Sequence, residues 1–175
     1  LTQNDHPNGT SRVYEAFTKM QNNKIDLIIN LQGDMPNIKP SSIVKLEKLM
    51  RKNNSLVGTL ASSLVKEDIY DENIVKVEVD EDLKENSFVD AKDFFRAKKD
   101  LKNKNIYHHI GIYGYNKEAL EKYVSLNRTK LEIDRKLEQF RFIENNIKIN
   151  IGYCESSPLS VDTLEDLNRV TREMS

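Results

Sequence analysis

Asp34 sits in the segment LQGDMP, directly behind the apolar run IDLIIN, with Gln32 and Gly33 beside it. A short, β-branched apolar run bounded by polar turns reads as a buried strand. The amide, the bare glycine and the carboxylate therefore fall at the carboxyl end of that strand. Open α/β sheets bind ligands outside those ends. Glycine lets a phosphate or a sugar approach the backbone closely. An aspartate there can hold Mg2+, which takes oxygen ligands and needs only one or two carboxylates when substrate phosphates complete its shell. The competing reading is a plain turn before Pro36, since aspartate is a favoured turn residue.

A second carboxylate, Asp162, stands in SVDTLED. Paired with Glu165 it resembles a helix capping box, which needs no function. It could equally join Asp34 at a metal site if the two strand ends lay side by side. In HHIGIYGY, strand alternation puts His109, Gly111 and Tyr113 on one face and His108, Ile110 and Ile112 on the other. A polar face of histidine and tyrosine suits the hydroxyls of a sugar, although such residues are also common in cores. Arg96, in FFRA, has the planar fork that grips a carboxylate. Glu138 and Gln139 interrupt the apolar periodicity of a helical stretch, as a solvated face would.

These residues belong to a chain of 175 residues with 27 Lys and Arg against 28 Asp and Glu, a formal charge of −1. Charges of both signs are interspersed, which argues against a nucleic-acid binder built on a basic face. No apolar run reaches the roughly 20 residues that span a bilayer, so no membrane association is expected. The lone cysteine, Cys154, cannot form an internal disulfide, and a reducing cytoplasm is the expected setting. It reads as a strand residue rather than a nucleophile.

The elements that must position the candidates follow from periodicity. A helix starting at Thr10 or Ser11 runs to about residue 22, with Val13, Phe17 and Met20 on its apolar face. The strand at about 25 to 31 is expected to be among the most buried, with Ile28 and Ile29 on opposite faces. A helix from Ser41 or Ser42 carries Ile43, Leu46, Leu49 and Met50, and SLVGTLASSL reads as the next strand. That order predicts a parallel βαβ unit. Residues 73 to 97 alternate through Ile74, Val75, Val77 and Val79, a pattern of antiparallel strands. KKDLKNKN reads as an exposed loop. Another strand precedes a helix capped by Asn116, and one longer helix is expected from about Leu131 to Asn145, carrying Ile133, Leu137 and Phe140. A strand in IKINIGY and a closing helix complete the chain. The fold class is thus α/β: a mainly parallel, Rossmann-like sheet with an inserted antiparallel part, in a single domain over 1–175.

Five words, in order, carry a family resemblance: NGTSR, NLQGDMP, HIGIYGY, KLEQFR and VDTLEDL. Together they span nearly the whole chain, which resembles the 3-deoxy-manno-octulosonate cytidylyltransferases, or CMP-Kdo synthetases. The resemblance implies transfer of CMP from CTP to the sugar acid Kdo, with release of pyrophosphate, supplying lipopolysaccharide synthesis. It implies Mg2+ on Asp34 and Asp162, and nucleotide contacts from Asn8, Gly9, Thr10, Arg12 and Gln32. His109, Tyr113, Glu138 and Gln139 would line the sugar site, with Arg96 near the sugar carboxylate. It also implies that the chain could form a homodimer through its antiparallel strands.

The match has departures. Ser11 stands where the family usually has an acidic residue, as does Arg135, and SPLSVDT replaces a glycine-richer turn. No part of these 175 residues matches the family's amino-terminal strand and basic triphosphate loop, Pro-Ala-Arg-x-x-Ser-x-Arg-x-x-x-Lys. The chain is accordingly expected to be a carboxyl-terminal portion of a longer domain, with amino-terminal strands missing. Two alternatives stay open: a synthetase of a related CMP-sugar, and a shortened, non-catalytic remnant that binds sugar or another subunit.

Overall fold

Helix α2 (Pro40–Asn53) lies almost directly on the sheet because the strands beneath it carry glycines. A methyl group at Gly58 would sit 2.4 Å from Met50 Sδ, and one at Gly152 would sit 2.6 Å from Leu49 Cδ1. A computed structural model describes residues 1–175 apart from Asn23, 98–104, Asp162 and Ser175. The expected lysine-rich loop falls almost wholly outside the described residues.

The remaining strands and α-helices are α1 (Gly9–Lys19), β1 (Leu27–Asn30), β2 (Val57–Ser63), β3 (Lys76–Val79), β4 (Phe88–Phe95), β5 (Ile106–Asn116), α3 (Lys117–Ser125), α4 (Lys130–Arg135), α5 (Phe140–Glu144), β6 (Ile149–Tyr153) and α6 (Leu164–Met174), with a short 3-10 helix at Lys66–Tyr70 between β2 and β3. One sheet orders its strands β1-β5-β2-β6-β4-β3, with a further pairing of β5 to β3. Leu46, Leu49, Met50, Ile110 and Ile112 form the core under α2. On the opposite face, Tyr113, Tyr115, Leu120, Tyr123, Phe140 and Phe142 form a larger core. None of the described helices is long and apolar enough to cross a membrane.

The expectation of a mainly parallel sheet is corrected. Among the described residues only β2 and β6 pair in parallel, while β1–β5, β2–β5, β3–β4, β3–β5 and β4–β6 are antiparallel. β1 and β2 do run in the same direction, as the βαβ reading requires, but β5 inserts between them. Periodicity reports which face of a strand is buried, not which strand lies next to it.

Two further expectations change. β1 is an edge strand with half-buried side chains, only Asn30 being fully buried. Ile28 and Ile29 do pack into opposite cores. The long helix expected over 131–145 breaks into α4 and α5 at Lys136, whose φ of 54° is left-handed. The break puts Leu137 and Phe140 into the core together and turns Ile133, 53% exposed, out to solvent.

Candidate active site

At the end of β1 the chain turns through residues 31–38, and this turn holds Asp34. One carboxylate oxygen, Asp34 Oδ1, is buried and accepts no hydrogen bond among the described residues. Buried polar atoms are rarely left in that state without a water or an ion to satisfy them, and a carboxylate oxygen suits a hard cation. The residue fits the metal that the sequence implied. Among the described residues no cluster of three His, Cys, Asp or Glu side chains forms a metal cage. Mg2+ does not require one.

The segment before α6 is fastened to this turn. The Val161 amide donates to the Asp34 carbonyl at 2.9 Å, and the Leu159 amide donates to Asn37 Oδ1 at 2.9 Å. Asp162, the next residue, lies outside the described residues. The reciprocal cap of α6 is made by Thr163 and Asp166. The Thr163 amide donates to Asp166 Oδ2 at 2.9 Å, and the Asp166 amide donates to Thr163 Oγ1 at 3.2 Å.

Gln32 continues from β1 alongside β5. Asn30 is the register partner of Tyr113, and the Gln32 amide group packs at Gly111, 3.5 Å from where a side chain would begin. His109 and Tyr113 share a face, with ring centroids 5.4 Å apart. The expected placement of Gly111 with them is corrected. A bulge leaves Gly111 and Ile112 between the pairs Thr59–Tyr113 and Leu60–Ile110, and Gly111 points to Met35 and Gln32. Burial, reinforced by the neighbouring His108, pushes His109 down to about 3, so it is neutral at ordinary pH. Tyr113 is buried and its hydroxyl has no hydrogen-bond partner among the described residues. Burial raises it well above the usual tyrosine range.

The turn opening α1 meets the residues of KLEQFR. Asn8 caps α1 by accepting the Ser11 amide at 2.9 Å, and its Nδ2 donates to the Tyr123 hydroxyl at 2.8 Å. The cap is thus Asn8 rather than Thr10 or Ser11. Thr10 is buried, its amide donating to Glu138 Oε2 at 3.3 Å and its hydroxyl bonded to that of Tyr115 at 3.1 Å. Gly9 lies over Glu138 and Asn30. Glu138 is therefore not on a solvated face. Burial raises its carboxyl above the ordinary range, offset in part by the Thr10 hydrogen bonds. Gln139 is buried at the start of α5. A bidentate pair anchors this segment from below: Arg141 Nε donates to Glu132 Oε2 at 2.8 Å and Nη2 to Oε1 at 2.6 Å.

Two candidates stand apart. Arg12 is turned away from Glu138, donating to Thr2 Oγ1 and the Gln3 carbonyl, both at 2.9 Å, on an exposed surface. Arg96 donates to the carbonyls of Glu72 and Asn73 at 3.1 and 2.9 Å rather than meeting His109 or Tyr113. With Asp93, Phe95, Ala97 and Arg135 it lines an open pocket of about 280 Å³. Arg135 pairs with Asp93 at 2.5 Å across that pocket.

Comparison with known proteins decides the family. A family model described as cytidylyltransferase matches residues 1–149. The 3-deoxy-manno-octulosonate cytidylyltransferase of Bartonella henselae is 39% identical over 174 residues, covering 98% of this chain and 71% of the relative. That of Thermodesulfovibrio yellowstonii is 41% identical, covering 95% and 69%.

The chain belongs to the 3-deoxy-manno-octulosonate cytidylyltransferase family.

A solved CMP:2-keto-3-deoxy-manno-octonic acid synthetase complexed with CTP superposes with a TM-score of 0.85 at 32% identity, over 99% of this chain and 70% of its own. A 4-diphosphocytidyl-2C-methyl-D-erythritol synthase from Anaerococcus prevotii matches at TM-score 0.59 and 14% identity, a likeness of fold alone. At the junction of β1, β5 and α1, the Asn8–Thr10 turn meets Tyr115 and Glu138. Tyr115 stacks on Tyr113, and Tyr113 lies beside His109. Gln32 packs at Gly111 toward Met35, while Asp34 is tied to Val161. The sequence reading missed Asn30, Thr59, Tyr115 and Tyr123, which complete the junction. Thr59 had a signal, a lone hydroxyl in the apolar strand LVGTLA, and Tyr115 continues the alternation of Tyr113. Nothing local marks Tyr123 as a partner of Asn8.

Proposed function

We propose that the protein transfers CMP from CTP to the anomeric hydroxyl of Kdo, with Asp34 and Asp162 holding Mg2+. The observation that carries this reading is the buried, unpartnered Asp34 oxygen at a strand end, in a chain 39% identical to a 3-deoxy-manno-octulosonate cytidylyltransferase. The Val161–Asp34 hydrogen bond supports the pairing of the two carboxylates, and capping of α6 by Thr163 leaves the cap reading of Asp162 without its main motive.

In the reaction, the sugar's anomeric oxygen bonds to the α-phosphorus of CTP, the α–β phosphoanhydride bond breaks, and pyrophosphate leaves. Bound Mg2+ would polarise the phosphoryl group and favour loss of the hydroxyl proton. The chain's own part is positioning. Gln32 offers an amide to the nucleotide, and Gly9 at the start of α1 offers exposed backbone beside the polar cluster of Asn30 and Glu138. His109, Tyr113, Glu138 and Gln139 face the sugar hydroxyls. Arg96 keeps part of its fork for the sugar carboxylate while two carbonyls hold the rest. Arg12, turned away among the described residues, would reach the nucleotide only by leaving Thr2 and Gln3. The buried Cys154 thiol accords with a reducing cytoplasm. A homodimer is carried by family likeness alone and is read from the mass in solution.

The test is product formation by the protein expressed from its complete reading frame. With CTP, Kdo and Mg2+ it should yield CMP-Kdo and stoichiometric pyrophosphate. Preference for another acidic sugar would shift the reading to a related CMP-sugar synthetase, and no turnover with any would support a non-catalytic role.

A further inference from the structure

The bulge in β5 surrounds the Thr59 hydroxyl with two carbonyls and one imidazole. Thr59 is fully buried, and its Oγ1 lies 2.6 Å from the Ile112 carbonyl, 3.0 Å from the Ile110 carbonyl and 3.1 Å from His109 Nε2. Carbonyl oxygens only accept, and a threonine hydroxyl has one proton to give. The shorter contact, to Ile112, takes that proton. Thr59 Oγ1 then meets the imidazole with a lone pair, so Nε2 must carry the ring hydrogen. A bare Nε2 there would set lone pair against lone pair. The other ring nitrogen, Nδ1, forms no hydrogen bond among the described residues and is left as an acceptor. The Tyr113 ring lies beside the imidazole, centroids 5.4 Å apart, and its buried hydroxyl is also without a partner among the described residues.

We propose that Thr59 is a positioning residue that locks His109 in the Nε2–H form and so presents Nδ1 to accept a hydrogen bond from a hydroxyl of the sugar substrate. The proposal rests on the sugar-site reading of His109 given above. Because burial pushes the imidazole down to about 3, the acceptor persists through the range in which an ordinary histidine would gain a second hydrogen and lose that role. With Phe94 edge-on at 5.2 Å, the ring is also fixed in orientation.

The test is the tautomer itself, read by long-range proton–nitrogen correlation on nitrogen-15-labelled full chain from about pH 5 to about pH 8. With only 3 histidines the spectrum can be assigned by substitution. The expected result is a single non-titrating His109 signature with hydrogen on Nε2 and bare Nδ1. Hydrogen on Nδ1 in the wild type would overturn the proposal without need of any variant. Thr59→Val, which keeps the shape and removes the hydroxyl, should move His109 toward the other tautomer or a mixture, and Thr59→Ser should restore the wild-type signature. An unchanged tautomer in Thr59→Val would also overturn it. In turnover, Thr59→Val should raise KM for Kdo by about fivefold, the effect of one hydrogen bond, leaving KM for CTP alone. An equal rise in both overturns the positioning role. If Thr59→Val shifts the tautomer while His109→Gln leaves KM for Kdo unchanged, the sugar contact fails and the tautomer lock stands.

Discussion

The backbone amide of Val161 donates to the carbonyl of Asp34 at 2.9 Å, joining the segment that leads into the last helix to the turn behind the first strand. Two regions from opposite ends of the chain are thereby held at one point. Beside them, Asn37 Oδ1 accepts the Leu159 amide at 2.9 Å, a side-chain clasp on the same junction.

That clasp is open to a mild test. Asn37→Ala removes that hydrogen bond and a long, exposed one from Asn37 Nδ2 to Glu173 Oε2 at 3.5 Å, and should cost about 1 kcal/mol of stability. If the junction sets the spacing of the two carboxylates, the Mg2+ concentration for half-maximal turnover should rise several-fold. A stability loss with an unchanged Mg2+ requirement would show that the clasp is only structural.

The buried pair of Glu132 and Arg141 makes a stability prediction. Burial raises the Glu132 carboxyl, but hydrogen bonds from Arg141 and the Thr129 amide outweigh it, so the net shift is downward. A depressed carboxyl stabilises the fold fully above its ordinary value of 4.5 and loses that contribution as pH falls below it. Glu132→Ala strands a buried guanidinium and should cost about 3–5 kcal/mol at neutral pH. The difference from wild type should shrink on acidification, as chemical denaturation at several pH values would reveal.

Glu138 behaves in the opposite sense. Its carboxyl is raised, chiefly by burial. The wild type therefore loses stability as pH climbs from 4.5 toward the raised value, whereas Glu138→Gln should not. The stability of the variant relative to wild type should grow over that interval, while KM for Kdo rises about tenfold through loss of a charged partner. Parallel pH–stability curves would place Glu138 in a more solvated setting than its contact with Thr10 implies.

Much of this architecture was legible in the sequence, and the exceptions share a cause. Asn116, expected to cap a helix, accepts the Ala119 amide at 2.8 Å, because capping is a local property. Strand alternation put His109 and Tyr113 on one face. It could not show the bulge at Gly111, which depends on pairing with Thr59. The break at Lys136 was invisible because the apolar period continues through Leu137 and Phe140, and no glycine or asparagine marks the left-handed residue. Its consequence reaches the candidate site: the break lets Glu138 turn to Thr10. The five motif words contain every candidate site residue except Arg96, and the three-dimensional packing sets Arg12 and Arg96 apart from the other candidates.

The most direct measurement is turnover of CTP and Kdo against Mg2+ concentration for Asp34→Asn and Asp162→Asn, in protein expressed from the complete reading frame. Asparagine keeps the size of aspartate and is an equally good helix cap, so neither substitution should unfold the protein. The account predicts wild-type melting for both, with turnover lowered by about a hundredfold or more at fixed Mg2+, the scale seen when a group stabilising transition-state charge is removed. Wild-type turnover by Asp162→Asn, with an unchanged dependence on Mg2+, would contradict a two-carboxylate metal site.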